Sequence, residues 1–387
     1  MTLTSSNSRF RIIPAQYDIF AGLDVDKKSM ATTFSDHASL VKSLRLPHSA
    51  THLLNYVDKH FAGKRIAFVY EAGPTGFGLH DELSARNHTC LVVSPSMVPT
   101  APGKRVKTNR LDSRNLSLRL RGGELNGIHV PSRCYRELRH LVQLRDTQMR
   151  QLTATKCRIK ALLLYEGIDF PDASGRWNAR VIASLYRLPC SSEVRFKLDH
   201  LIGTLSFHFH AAAAVQKRIR QFCKSDPELH QSITLLTSLP GVGWITAAHA
   251  VARLGDWREL QNVRQIAGFL GLVSSEHSTG EKENRGPITR SGDSRLRNKL
   301  IQCAWVAIHK DAELRAFYRS LYQRQPKKVA ARKAIVAVAR KLTTRMAVVL
   351  KEQRPYVIRP EISVAPLTAE ETVGPRERLD AAQNEQL

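Results

Sequence analysis

No run of this chain is long and apolar enough to span a bilayer, so no transmembrane helix is expected. The opening Met1-Thr-Leu-Thr-Ser-Ser lacks the charged-then-apolar pattern of a signal peptide. Cysteine is sparse and scattered. Cys90, Cys134, Cys157, Cys190, Cys223 and Cys303 include no Cys-x-x-Cys pair, so neither a zinc site nor a disulfide framework is indicated. These absences predict a cytosolic protein with free thiols and no membrane partner. Among fifteen histidines the one close pair is His208-Phe-His210, which is not a ligand set. Acidic charge is the other shortage. Against 34 Asp+Glu stand 59 Lys+Arg, a net charge of +25. Such an imbalance predicts a polyanionic partner, nucleic acid before membrane surface.

The patterning of the 387 residues then divides the chain. Residues 1–16 read as a leader. Residues 17–132 alternate strand and helix signals. Ile19–Val25, Ile66–Tyr70 and Thr89–Val93 are apolar strand candidates, with Met30–Phe34 as a hairpin partner and Ile128–Val130 as a last strand. Ala38–His60, Leu79–Arg86 and Asp112–Leu120 read as helices. Residues 133–230 contain a long heptad-like stretch over 133–165, a break at Gly167–Gly175 and a second long helical stretch over 192–225, a helical coiled-coil arm. Residues 231–355 are mostly helical, interrupted by a polar loop over Gly271–Gly292. Residues 356–387 lack apolar periodicity and read as a disordered tail.

Three acids stand at element ends of the first segment: Asp24, Glu71 and Asp112. Each alone is more often a solvated turn residue. Together, in a strongly basic chain, they match an RNase H-like domain, whose crowded carboxylates hold two Mg²⁺ ions against a scissile phosphate. Asn109 precedes Asp112 by one helical turn and faces the same way. Leu239-Pro-Gly-Val-Gly243 reads as a helix-hairpin-helix-like turn, in which Gly241 and Gly243 expose backbone N–H groups to a DNA phosphate; a plain interhelix turn is the rival reading. Ser278 and Thr279, before Gly280, are hydroxyls in a loop flanked by Arg285, Arg290, Arg295 and Arg297, candidate nucleophiles amid phosphate-binding cations. Lys107, Arg110, Lys327 and Lys328 complete the candidate nucleic-acid contacts, with the helix from Lys327 as a backbone-tracking surface.

Two sets of motifs resemble one known family. Gly22-Leu-Asp24-Val-Asp-Lys27, Tyr70-Glu-Ala-Gly-Pro-Thr-Gly76, Ser94-Pro-Ser96 and Val106-Lys-Thr-Asn-Arg-Leu-Asp-Ser113 are similar to the N-terminal domain of the DEDD transposases of the insertion sequence 110 family. Leu239-Pro-Gly-Val-Gly243, Gly268-Phe-Leu-Gly-Leu272, Glu276-His-Ser-Thr-Gly280, Gly286-Pro-Ile-Thr-Arg-Ser-Gly292 and Arg295-Leu-Arg297 are similar to its second domain. Pilin-gene invertases are similar relatives. The resemblance covers most of residues 18–350. It implies an α/β plus α architecture: a RuvC-like (RNase H-like) domain at 17–132, the coiled-coil arm at 133–230 and a helical transposase domain at 231–355.

The resemblance further implies a metal quartet of Asp24, Glu71, Asn109 and Asp112, with Mg²⁺ as cofactor. It implies a covalent serine–DNA intermediate, a guide RNA encoded by the element, and a dimer or tetramer acting on element ends and target DNA in the bacterial cytosol, at the nucleoid. Asn109 stands where the family usually has Asp. A primary alcohol attacks phosphorus more readily than a hindered one, which favours Ser278 over Thr279 as nucleophile. The rival functions are a RuvC-like nuclease without a serine intermediate and a degenerate DNA-binding copy.

Overall fold

The computed structural model describes residues 11–99, 109–256, 258, 263–276, 285–358, 367 and 371. The chain divides into two compact units, Met1–Val130 and Pro131–Leu387.

The first unit is built on five strands: β1 (Ile19–Val25), β2 (Ser29–Ser35), β3 (Leu40–Pro47), β4 (Ile66–Glu71) and β5 (Thr89–Val93). They lie in the order β3-β2-β1-β4-β5. The first three form an antiparallel meander, and β4 and β5 join parallel to β1. The two parallel strands read as unbroken apolar runs because both their faces are covered. On one face, Ile19, Ala21, Leu23, Phe68 and Tyr70 pack under α1 (Ala50–His60) and α2 (Gly78–Ala85). On the other, Phe20, Ala67, Val69, Leu91 and Val93 pack under Leu116 and Leu120 of α3 (Asn109–Arg121). This mixed, helix-covered sheet agrees with the expected α/β class for the N-terminal half.

Two expectations here need correction. Residues 40–47, read as the start of a helix, form the edge strand β3. Its Leu44 and Leu46 alternate with outward Arg45 and pack on the core, a period of two that pairing with β2 selects over helix. Pro47 closes the strand, and the Ser49 hydroxyl accepts from His52 N–H to start α1. Ile128–Val130 forms no strand; beside it Gly127 makes an isolated bridge to Val93.

The second unit is helical, apart from one ribbon. Two 33-residue helices, α4 (Arg133–Tyr165) and α6 (Ser192–Lys224), pair along their length, with α5 (Ala179–Leu185) between them in sequence. Distally they share a small core of Leu152, Ile159, Leu198 and Ile202. Proximally, Leu138 and Val142 of α4 and Ile219 of α6 join the main core of the remaining helices. These are α7 (Pro227–Thr237), α8 (Trp244–Leu254), α9 (Val263–Phe269), α10 (Ser294–Lys310), α11 (Ala312–Gln323) and α12 (Lys327–Glu352). Asp226, Asp293 and Asp311 cap α7, α10 and α11 by accepting backbone N–H groups, each worth about 1 kcal/mol. The polar loop carries more structure than its composition predicts: β6 (Ser274–Glu276) and β7 (Arg285–Ile288) pair antiparallel across it.

Most of the expected tail lies outside the described residues, but the described ones make specific contacts. The Tyr356 hydroxyl donates to Asp311 Oδ2 at 2.6 Å, and its backbone N–H donates to Ser238 Oγ at 2.7 Å. Farther on, Glu371 pairs with Arg319 at 3.1 Å, and its carbonyl accepts from the Tyr318 hydroxyl at 2.8 Å. Aromatic and charged anchors thus fix points that a periodicity search passes over.

Candidate active-site edge and hydroxyl loop

The acids of the first unit come to one edge through register and alternation. β1 and β4 run parallel with Leu23 level with Tyr70, so the next step sets Asp24 level with Glu71. Adjacent strands lie about 4.8 Å apart. Alternation carries Phe20, Gly22 and Asp24 to the same face, and Ala67, Val69 and Glu71 likewise, the face that α3 covers.

Gly22 explains how α3 comes close enough. A Cβ there would stand 2.2 Å from the Ser113 carbonyl oxygen and 2.4 Å from Ser117 N, so the helix backbone rests directly on the strand. Buried hydroxyls fasten the contact. Ser113 Oγ lies 2.9 Å from Thr33 Oγ1, Ser117 Oγ lies 2.8 Å from Ser35 Oγ, and the Ser117 hydroxyl donates to the Phe20 carbonyl at 2.9 Å. These contacts run α3 antiparallel to β1 and bring its first turn, with Asn109 and Asp112, to the strand ends that carry Asp24 and Glu71.

Asp24, Glu71 and Asp112 are half-buried and Asn109 is exposed. The donors are all oxygens, three carboxylates and one amide, the kind that hard divalent cations take. They line one edge without closing on a point: among the described residues no three His, Cys, Asp or Glu side chains converge to hold an ion. One acid at this edge had escaped notice. Asp26, two residues beyond Asp24, accepts the Asn109 amide N–H at 2.5 Å. The available signal was the alternating Asp24-Val-Asp26.

In the second unit, Ser278, Thr279 and the side chain of Arg285 lie outside the described residues, as does Lys107 of the first. The base of their loop is described in detail. A Cβ on Gly271 would meet the Ser291 carbonyl oxygen at 2.4 Å, and one on Gly292 would meet the Phe269 carbonyl oxygen at 1.9 Å. Arg297 locks these crossing strands of chain. Its Nη1 donates to the carbonyls of Leu270 and Ser291, both at 2.9 Å. Arg297 was expected on a nucleic-acid surface, but it is buried and spends its charge on the loop base.

Of the other expected contacts, Arg110, Arg290, Lys327 and Lys328 are exposed. Arg295 lines a polar cleft of about 550 Å³ with His140, Arg253 and Ser294. Gly243 is exposed before α8, whereas Gly241, at φ 79°, lies against α10, where a Cβ would meet the Cys303 carbonyl oxygen at 2.4 Å. The helix α12 buries one whole side in the main core, so only its outer face is free to track a backbone.

A trio around the buried His249 escaped the sequence reading altogether. His249 of α8 stands between Asp146 of α4, at 3.5 Å, and Asp293, the cap of α10, at 3.6 Å. Lys299 Nζ donates to the other Asp146 oxygen at 2.9 Å. The neighbouring His249 ring, and then the Leu296 N–H, hold the Asp293 carboxyl well below the usual carboxylate range. Three helices are thereby tied together beside the loop base.

Comparison with known proteins matches both units. Residues 21–165 match a transposase model of the DEDD IS110 type, and residues 233–319 match the model described as "Transposase IS116/IS110/IS902 family". A putative transposase of Sinorhizobium fredii, y4qE, is 31% identical over 300 residues, covering 76% of this chain and 73% of its own. The transposase for insertion sequence element IS1533 of Leptospira borgpetersenii is 21% identical over 294 residues, 74% of this chain and 84% of its own. The pilin gene-inverting protein of Moraxella bovis is 24% identical over 221 residues, 57% of this chain and 58% of its own.

Proposed function

Because the chain belongs to the IS116/IS110/IS902 family of transposases, enzymes that cleave and join DNA, we propose that it moves an insertion sequence through a covalent hydroxyl–DNA intermediate. Membership of the DEDD type implies a divalent metal. We assign it to Asp24, Glu71, Asn109 and Asp112 and identify it as Mg²⁺. The observation that carries this assignment is the pairing of β1 with β4, which sets Asp24 level with Glu71, with the first turn of α3 tied to the end of β1 through Asn109 and Asp26. Bound there, Mg²⁺ would grip the scissile phosphate and stabilise charge on the attacking and leaving oxygens.

The chain's own residues supply the rest. The hydroxyl of Ser278 attacks phosphorus, a new O–P bond forms, and one ester oxygen of the DNA leaves with the hydroxyl's proton. Thr279 is the alternative nucleophile. Reversal of the same step on another strand end rejoins the DNA and releases the hydroxyl, so the ester-bond count is conserved. Arg297 positions the loop from its base. Arg110, Arg290, Arg295, Lys327 and Lys328 neutralise phosphates, and the net charge of +25 favours both DNA and an element-encoded guide RNA. We infer a dimer or tetramer acting on element ends and target DNA.

The test is a denaturing-gel search for a protein–DNA adduct with Mg²⁺, junction DNA and RNA transcribed from the flanks. The adduct is expected from the parent and absent in Ser278→Ala and Asp24→Ala. An adduct lost only in Thr279→Ala moves the nucleophile by one residue. Cleavage without any adduct refutes the covalent step, and full reaction without RNA refutes guidance.

A further inference from the structure

Asn109 leaves the acidic edge one carboxylate short, and the structure places another beside it. Asp26 follows Asp24 by two residues, so alternation returns it toward the side that α3 covers. Its Oδ2 accepts the Asn109 Nδ2–H at 2.5 Å, a charge-assisted bond linking the end of β1 to the first turn of α3. Its other partner is Arg45 on β3, at 3.7 Å, with side-chain exposures of 68% and 51%. An ion pair that open to water is weak. At 2.5 Å against 3.7 Å, the closer contact of the Asp26 carboxylate is with Asn109, which is also exposed.

A side-chain amide has one end that donates and one that accepts. With its N–H₂ held by Asp26, the carbonyl oxygen of Asn109 is the end left to face an ion. A cation is bound by carbonyl and carboxylate oxygen, never by amide N–H₂, so the orientation decides whether Asn109 is a ligand at all. We propose that Asp26 is the positioning residue of the metal edge: it turns the Asn109 carbonyl toward the ion and restores the negative charge that the amide lacks. Asp26 and Asn109 together do the work of one aspartate. The inference rests on reading Asp24, Glu71 and Asp112 as the metal edge.

The test reads metal binding without DNA or turnover. Full-length protein is titrated with Mn²⁺, a Mg²⁺ mimic, and free ion is followed by electron paramagnetic resonance. Asp26→Asn is expected to weaken Mn²⁺ binding by about 10- to 100-fold, the usual effect of losing a partner that orients a ligand. The exchange variant Asp26→Asn with Asn109→Asp puts the carboxylate at 109 and the orienting amide at 26. It is expected to bind within about threefold of the parent. Because Asp26 is exposed, far-UV circular dichroism of both variants should match the parent. Parent-like affinity in Asp26→Asn, with Asp24→Asn strongly weakened, overturns the role of Asp26 and leaves the metal edge intact. Parent-like affinity in Asp24→Asn as well overturns both. An exchange variant as weak as Asp26→Asn shows that the two residues do not act as a pair and also overturns the proposal.

Discussion

Replacing Gly22 with alanine adds one methyl group where the backbone of α3 rests on β1. The new Cβ would stand 2.2 Å from the Ser113 oxygen, 2.4 Å from Ser117 N and 3.0 Å from Ser117 Cα. All three are backbone atoms, so no side chain can swing aside. Carbon–oxygen contacts settle near 3.3 Å, so α3 must retreat by about 1 Å. That shift strains the hydroxyl bonds of Ser113 and Ser117, and overpacking with weakened buried bonds costs about 2–4 kcal/mol. It also moves Asp112 and Asn109 away from Asp24 and Glu71, and a displacement of about 1 Å at a reacting site costs about 100-fold in rate. The damage can be located. All four tryptophans, Trp177, Trp244, Trp257 and Trp305, lie in the second unit. In a urea titration, far-UV circular dichroism should show an early loss that tryptophan fluorescence does not follow. Gly203→Ala is the control. Gly203 lies exposed within α6 with nothing within 4 Å of an added Cβ, so alanine there should stabilise the helix by about 0.5–1 kcal/mol. A Gly22→Ala protein with parental unfolding and parental DNA cleavage would refute the close-approach argument.

Arg297→Ala leaves the Leu270 and Ser291 carbonyls without their charged donor, at a cost of about 2–4 kcal/mol. Adduct formation should fall far more than DNA affinity in a filter-binding assay at fixed salt; equal losses would return Arg297 to the DNA-contact class. Asp293 gives a pH signature with a definite sign. Its folded carboxyl is depressed, so its contribution is present above the ordinary carboxylate value of about 4 and is lost as pH falls below it. Asp293→Asn should therefore lower the urea midpoint at pH 7, with a gap that narrows on acidification. A gap independent of pH would show that the cap, not the charge, is what matters.

The strands that carry Asp24 and Glu71 were legible because doubly covered parallel strands are written as apolar runs, Ile-Phe-Ala-Gly-Leu and Ile-Ala-Phe-Val-Tyr. Edge strand β3 was not, since Leu-Val-Lys-Ser-Leu-Arg-Leu supports either period and only its pairing with β2 decides. The long helix α4 was legible from its heptads, and α6 from an uninterrupted helical stretch ended by Asp226-Pro227. Arg297 was misplaced because a sequence shows that a guanidinium is present but not that two carbonyls await it inside. The Asp146–His249–Asp293 trio draws on three helices more than forty residues apart in sequence, so no local pattern announces it.

Gly22 and Asp24 sit in one short motif, and the packing of α3 on β1 links them. Gathering carboxylates at a sheet edge is electrostatically uphill, and the edge must still be precise. The first turn of α3 eases the charge, because a helix N-terminus carries unpaired N–H groups and partial positive charge that favour acids such as Asp112 there. It can do so only if the helix start lies close to the strand ends. Ser113 and Ser117, one helical turn apart, form the small-residue face that allows this, with Gly22 as its counterpart on β1. The same approach brings Asn109 within reach of Asp26. The glycine two residues before Asp24 is thus a spacing device for Asp112, ninety residues away, and a side chain there disturbs the fold and the acidic edge together.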